Sequence, residues 1–185
     1  FFNYCEIKIK SVKTSPMAGL RFTFDEQDLF RKHEDLIYHN DEELTAIWRA
    51  IEKMAAGDWS PFVESIVKFS MLTGLRNANV LGLQKEWIKP YDCGIRIEYP
   101  KSAMKMKRDW WLPLSPQAVD VLNRVQSKGP LVFPGRTGKP FDFGTNARTT
   151  VRMLSGVGNF SLKRFRKTIT TRLNELRDAD GNLLP

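Results

Sequence analysis

Ser60-Pro61-Phe62-Val63-Glu64-Ser65-Ile66-Val67-Lys68-Phe69-Ser70-Met71-Leu72-Thr73-Gly74-Leu75-Arg76 reads as one buried helix, its stop signal and the start of a turn. Ser60-Pro61 opens the helix, with proline at the first helical position, where its missing N–H costs nothing. Phe62, Val63, Ile66, Val67 and Leu72 would face the core. Gly74 is the stop, and a short helix over 77–83 is expected directly after it.

Working outward, Asn40 followed by Glu43 makes a capping-box-like helix start, and Leu44, Ile47, Trp48, Ile51 and Met54 recur at helical spacing until Gly57. Downstream the character changes. Ile95, Ile97 and Tyr99 alternate with polar neighbours, and 110–114 is a second strand-like run. The polar, mostly basic stretch 101–108 joins them as an antiparallel hairpin, with 85–88 as a third strand. Of the two tryptophans that open the second strand, Trp110 and Trp111, one should be core and the other partly exposed, because neighbours in a strand point opposite ways. Ser115-Pro116 starts another helix carrying Val119, Leu122 and Val125. Helical patterns resume near Thr145, and the last runs over 162–176. The expected class is α+β, mainly helical around a small antiparallel sheet. Residues 1–26, with the turn-like Thr14-Ser15-Pro16, read as an arm left from an upstream domain, 27–177 as the main domain, and 178–185 as a loop leading onward.

The chain has 185 residues, 42% hydrophobic and 27% charged, an ordinary globular balance. No apolar run approaches the roughly 20 residues of a membrane span, and no signal segment opens the chain, so a cytoplasmic protein is expected. Cys5 and Cys93 form no CxxC pattern, and with only His33 and His39 besides there is no credible zinc set. Both cysteines are expected to be reduced and structural. The formal net charge is +8, which points to a polyanionic partner, nucleic acid being the commonest.

The basic residues concentrate in two places. The hairpin connection carries Lys101, Lys105, Lys107 and Arg108; the start of the last helix carries Lys163, Arg164, Arg166 and Lys167. On that helix Leu162, Phe165, Ile169, Leu173 and Leu176 form an apolar stripe. Lys163, Arg166, Lys167 and Thr170 fall on a neighbouring face. Like cations side by side cost free energy unless an anion offsets them, and a phosphate between guanidinium forks would do so. A merely solvated basic face is the other reading, and the residues alone leave both open.

Three motifs in this order resemble those of the tyrosine recombinases, in particular phage-type integrases: Thr73-Gly74-Leu75-Arg76; Met104-Lys105-Met106-Lys107-Arg108 leading into Leu112-Pro113-Leu114-Ser115; and Lys163-Arg164-Phe165-Arg166-Lys167-Thr168 followed by Thr171-Arg172-Leu173. Ser15-Pro16-Met17-Ala18-Gly19-Leu20 is similar to the family's junction after its core-binding domain. The resemblance implies that Arg76 and Arg166 clamp the non-bridging oxygens of a scissile phosphate. It implies that Lys105 on the hairpin protonates the departing 5′-hydroxyl. Lys163, standing where most recombinases have histidine and type IB topoisomerases have lysine, would hold the phosphate rather than titrate. Lys101, Lys107, Arg108, Arg164 and Lys167 would contact DNA.

Two departures stand out. Asn79 occupies the place of a frequent carboxylate three positions after the first arginine, where its amide could still accept a hydrogen bond from Arg76. No tyrosine follows Arg166; Tyr4, Tyr38, Tyr91 and Tyr99 all lie upstream. A chain truncated before its nucleophile is therefore expected, itself unable to cleave. The complete enzyme would recombine DNA through a 3′-phosphotyrosine link, with no metal or other cofactor implied. Its partners would be double-stranded DNA attachment sites and further copies of itself, usually four. The alternatives are a non-catalytic DNA-binding module derived from a recombinase, or a type IB topoisomerase-like fragment.

Overall fold

The computed structural model describes residues 38–57, 59–92, 94–104 and 107–175. The expected boundaries at 26/27 and 177/178, the stretch 15–20, and Tyr4, Cys5, His33, Cys93, Lys105 and Leu176 lie outside the described residues.

Helix α1 (Asp41–Ala55) starts as its sequence demands: the Asn40 side chain accepts from the Glu43 N–H at 2.8 Å. The reciprocal half of the capping box is absent, because the Glu43 carboxylate turns to His39 Nδ1 at 2.9 Å. Ile47, Ile51 and Met54 are buried, as their spacing predicts. Helix α2 (Pro61–Thr73) has proline in its first turn under a Ser60 cap, and Gly74 closes it in the left-handed conformation, φ +59°. The α2 helix is the hub of the fold. It packs on α1, on the short α3 (Asn77–Leu81), on α4 (Pro116–Asn123) and on α6 (Leu162–Glu175), while α5 (Thr145–Ser155) packs on α1.

Burial around α2 is wide enough to enclose Lys68, which hydrophobic periodicity passes over. Its ammonium bonds Glu64 at 2.6 Å and Glu52 at 3.2 Å and lies 4.4 Å from the centre of the Trp48 ring. Two carboxylates and an aromatic face replace the water it gives up.

The sheet is three-stranded and antiparallel in the order β1 (Ile88–Tyr91), β2 (Gly94–Tyr99), β3 (Trp110–Pro113). The third strand begins at Ile88 rather than occupying 85–88. Lys85–Trp87 is a 3₁₀ turn, because the Lys85 N–H is claimed by the Pro130 carbonyl at 2.8 Å and its ammonium by Ser127 O at 2.5 Å. Pairing starts only where Ile88 meets Ile97. Helix α4 is also rotated from expectation: Ala118 and Val121 are buried, whereas Val119, Leu122 and Val125 are half-buried. Both tryptophans are exposed, Trp110 by 37% and Trp111 by 56%, on the edge strand β3. Among the described residues no helix is long and apolar enough to cross a membrane.

Gly74 is held to its identity twice. Its φ is left-handed, and an added Cβ would stand 3.0 Å from Ile169 Cδ1 and 3.3 Å from Ile169 Cβ on α6. Gly74→Ala should destabilise the fold by about 1–3 kcal/mol, read as a lower urea midpoint at constant m-value.

Candidate nucleic-acid interface

The α2–α3 turn presents Arg76 by burying what surrounds it. The Gly74 N–H bonds Ser70 O at 3.0 Å, Leu75 is only 3% exposed, and the extended Arg76 backbone accepts from the Asn79 N–H at 2.8 Å and the Val80 N–H at 3.0 Å. Leu75 anchors the turn in the core. Arg76 therefore has a fixed backbone and an exposed side chain.

Helix α6 meets this turn from the other end of the chain. Leu162, Phe165 and Thr168 are buried, and Lys163, Arg166 and Thr170 are exposed, with Arg164 and Lys167 half-buried between the two faces. The Arg166 Nη1 donates to the Gly74 carbonyl at 3.2 Å, across 92 positions of sequence. That bond uses one guanidinium donor and leaves others for a ligand. Lys163 lies one turn before Arg166 on the same face. The apolar stripe of α6 differs from the expected one: Leu173 is 55% exposed, while the polar Thr168 is buried at 3%.

Thr168 belongs to a tie that hydrophobic periodicity does not reveal. Its hydroxyl donates to the Arg164 carbonyl at 3.0 Å and accepts the His39 N–H at 2.9 Å. The His39 ring packs on Phe165 with centroids 5.5 Å apart, and Arg172 pairs with Asp41. His39 and the first residue of α1 are thus latched along α6 at three points. The signal available in sequence was faint: a threonine three residues after a buried phenylalanine.

Three of the four hairpin cations lie among the described residues. Lys101 is exposed on a 3₁₀ turn (Lys101–Ala103), with its N–H bonded to Asp109 at 2.8 Å. Lys107, at φ +48°, donates its N–H to the Met104 carbonyl at 3.0 Å, and Arg108 is exposed. Among the described residues no hydrogen bond joins these three to Arg76, Lys163 or Arg166. The connection between hairpin and α3 is made by Asn79 instead. Its side-chain amide donates to Met104 Sδ at 3.6 Å, and its backbone carbonyl accepts from the Tyr99 hydroxyl at 3.1 Å. Asn79 therefore fastens the hairpin base rather than accepting from the Arg76 guanidinium. Burial pushes the Tyr99 phenol well above its ordinary pKa of 10.0.

Comparison with known proteins fits this architecture. The chain is 32% identical over 139 residues to prophage integrase IntZ of Escherichia coli (strain K12), a match covering 72% of this chain and 32% of that protein. A solved structure, that of XerA recombinase, superposes with a TM-score of 0.53 over 98% of this chain and 70% of the other, at 18% identity. The chain has the integrase-like fold of the tyrosine recombinases. No family model matches it. The chain spans about a third of the length of the curated relative it matches. Within the integrase-like fold, the α2–α3 turn and the exposed face of α6 are where the arginine motifs come together.

Burial of His39 lowers its pKa below 6.5; the Glu43 carboxylate pulls the other way, and Arg164 adds to the lowering. An imidazole that is neutral in the fold and protonates more readily when unfolded favours the native state at higher pH. Stability should therefore fall as pH drops through 6.5, and a His39→Asn variant, which keeps the backbone bond to Thr168, should show a flatter pH profile of melting temperature.

Proposed function

We propose that this chain is the phosphate-gripping part of an enzyme of site-specific DNA recombination, one that integrates a mobile element or prophage. The observation that carries the reading is the Arg166 bond to the Gly74 carbonyl, which fixes the second arginine against the turn bearing the first. Arg76, Arg166 and Lys163 would contact the non-bridging oxygens of one phosphodiester and offset the charge that builds in the transition state. Two arginines suit this better than two lysines, because each planar fork can engage two oxygens. Arg164, Lys167, Lys101, Lys107 and Arg108 would track the flanking backbone, where charge rather than base identity decides affinity. The name of the curated relative, a prophage integrase, supports this reading.

In the proposed reaction a tyrosine oxygen attacks the phosphorus, the bond to the 5′ oxygen breaks, and Lys105 gives that oxygen its proton. A 3′-phosphotyrosine forms, and attack by another 5′-hydroxyl reverses the step on a new partner strand. One phosphoester bond is exchanged for another at each stage, so no nucleotide need be spent. Lys105 lies outside the described residues; on the described part of the hairpin, Met104 is tied to Asn79, whose N–H bonds the Arg76 carbonyl. The attacking residue is none of the described tyrosines. The Tyr99 hydroxyl is buried and already donates to Asn79, Tyr91 faces Arg96 on the sheet, and Tyr38 precedes α1. DNA attachment sites and further copies of the chain would be the partners.

Duplex DNA should bind this chain with a steep salt dependence, and an Arg76→Ala/Arg166→Ala double variant should bind about tenfold or more weakly, with a shallower salt slope. Fluorescence anisotropy with a labelled duplex reads both quantities. Equal affinity in the double variant would remove the phosphate clamp. That none of the described tyrosines is placed to attack also favours a second reading, a DNA-holding module without chemistry. If the full-length protein traps no covalent complex on a nicked substrate, the module replaces the enzyme.

A further inference from the structure

The sheet carries a cleft of about 470 Å³, lined by neither Arg76 nor Arg166, whose composition runs against that of the chain. Its aromatic wall is continuous. Trp87 leans on Tyr99 at 5.4 Å, and Tyr99 stacks on Trp110 at 5.9 Å with their planes 28° apart. Glu86, Glu98 and Asp109 line the same cleft, with Lys89 as the one cation among its described lining residues. Glu98 is paired with Arg96, which leaves Glu86 and Asp109 as the carboxylates beside the aromatic wall that, among the described residues, pair with no cation. On a chain of net charge +8 this setting favours a cation over a phosphate.

The same sheet shows what such a surface binds. The Arg96 guanidinium lies 5.6 Å from the ring centres of both Tyr91 and Trp111, while its Nε and Nη2 donate to Glu98 Oε1 at 2.7 and 2.5 Å. In the cleft, Trp110 and the carboxylates of Glu86 and Asp109 repeat these ingredients, and among the described residues no cation sits on that ring or pairs with those two carboxylates. Strand β3 is also an edge strand, so among the described residues one side of its backbone has no strand partner.

We propose that this cleft is a protein-docking site that takes an extended segment bearing arginine or lysine, the cationic side chain seated on Trp110 between Glu86 and Asp109. The segment would lie along the edge of β3, where backbone pairing supplies affinity and the aromatic–acidic cleft supplies the choice of side chain. The docked partner would sit at the base of the hairpin, since Asp109 accepts the Lys101 N–H. This cleft is separate from the phosphate clamp, because neither Arg76 nor Arg166 lines it.

Titration calorimetry with a hexa-arginine peptide, and hexa-glutamate as control, tests the site on the whole chain. Saturable binding of the cationic peptide alone is expected, weakened about fivefold or more by Glu86→Gln/Asp109→Asn, which keeps an acceptor for Lys101, and about tenfold by Trp110→Ala. Duplex DNA binding should be unchanged in the Glu86→Gln/Asp109→Asn and Trp110→Ala variants, which also reports that they are folded. No saturable peptide binding, or equal binding in the Glu86→Gln/Asp109→Asn variant, overturns the proposal. So does a loss of DNA affinity in a Trp110→Ala variant that melts like the parent, which would assign the tryptophan to the duplex instead.

Discussion

The left-handed turn at Gly74 is the constraint on which the rest of this molecule depends. It ends α2, the helix that packs on α1, α3, α4 and α6, and redirects the chain so that Leu75 enters the core and Arg76 leaves it. Because glycine has no side chain, Ile169 of α6 can lie against the turn, and the Gly74 carbonyl remains open to Arg166. A single backbone conformation thus ends the hub helix, seats a second helix and fixes one guanidinium beside the exposed base of another. A bulkier residue would separate all three.

Around that turn the polar ties are few and each has a distinct task. Thr168 and Phe165 receive His39, and Arg172 pairs with Asp41, so α6 is held on one side by His39 and the first residue of α1 and on another by the α2–α3 turn. Asn79 holds the hairpin base through Tyr99 and Met104. The cations face solvent from rigid supports: buried neighbours restrict the backbone while the charged ends stay hydrated, which avoids the desolvation cost of burying them. Lys68 is the contrast. It is drawn into the interior, and two glutamates and a tryptophan ring surround it.

Charge is also unevenly shared among the elements. The exposed face of α6 concentrates cations, whereas the aromatic end of the sheet carries Glu86, Glu98 and Asp109. Opposite signs on different surfaces suit the two faces to different partners. A phosphate backbone would be drawn to one and a cationic side chain to the other, as proposed above.

Local chemistry made much of this legible in the sequence. The Asn40 cap, proline in the first turn of α2, the Gly74 stop, the alternation of Ile95, Ile97 and Tyr99, and the basic face of α6 are each set within a few residues by hydrogen-bond geometry or hydrophobic period. The arginine motifs were legible in the same way, as short strings. What the tertiary structure alone decided was every relation across distance. Thr168 proved a buried partner of His39, Leu173 lay exposed on a stripe expected to be core, 85–87 was taken from the sheet by the Pro130 carbonyl, and Asn79 served the hairpin rather than Arg76. Periodicity reports which face of an element is apolar. Which partner a threonine or an amide finds depends on how separate elements pack, and no local pattern encodes that.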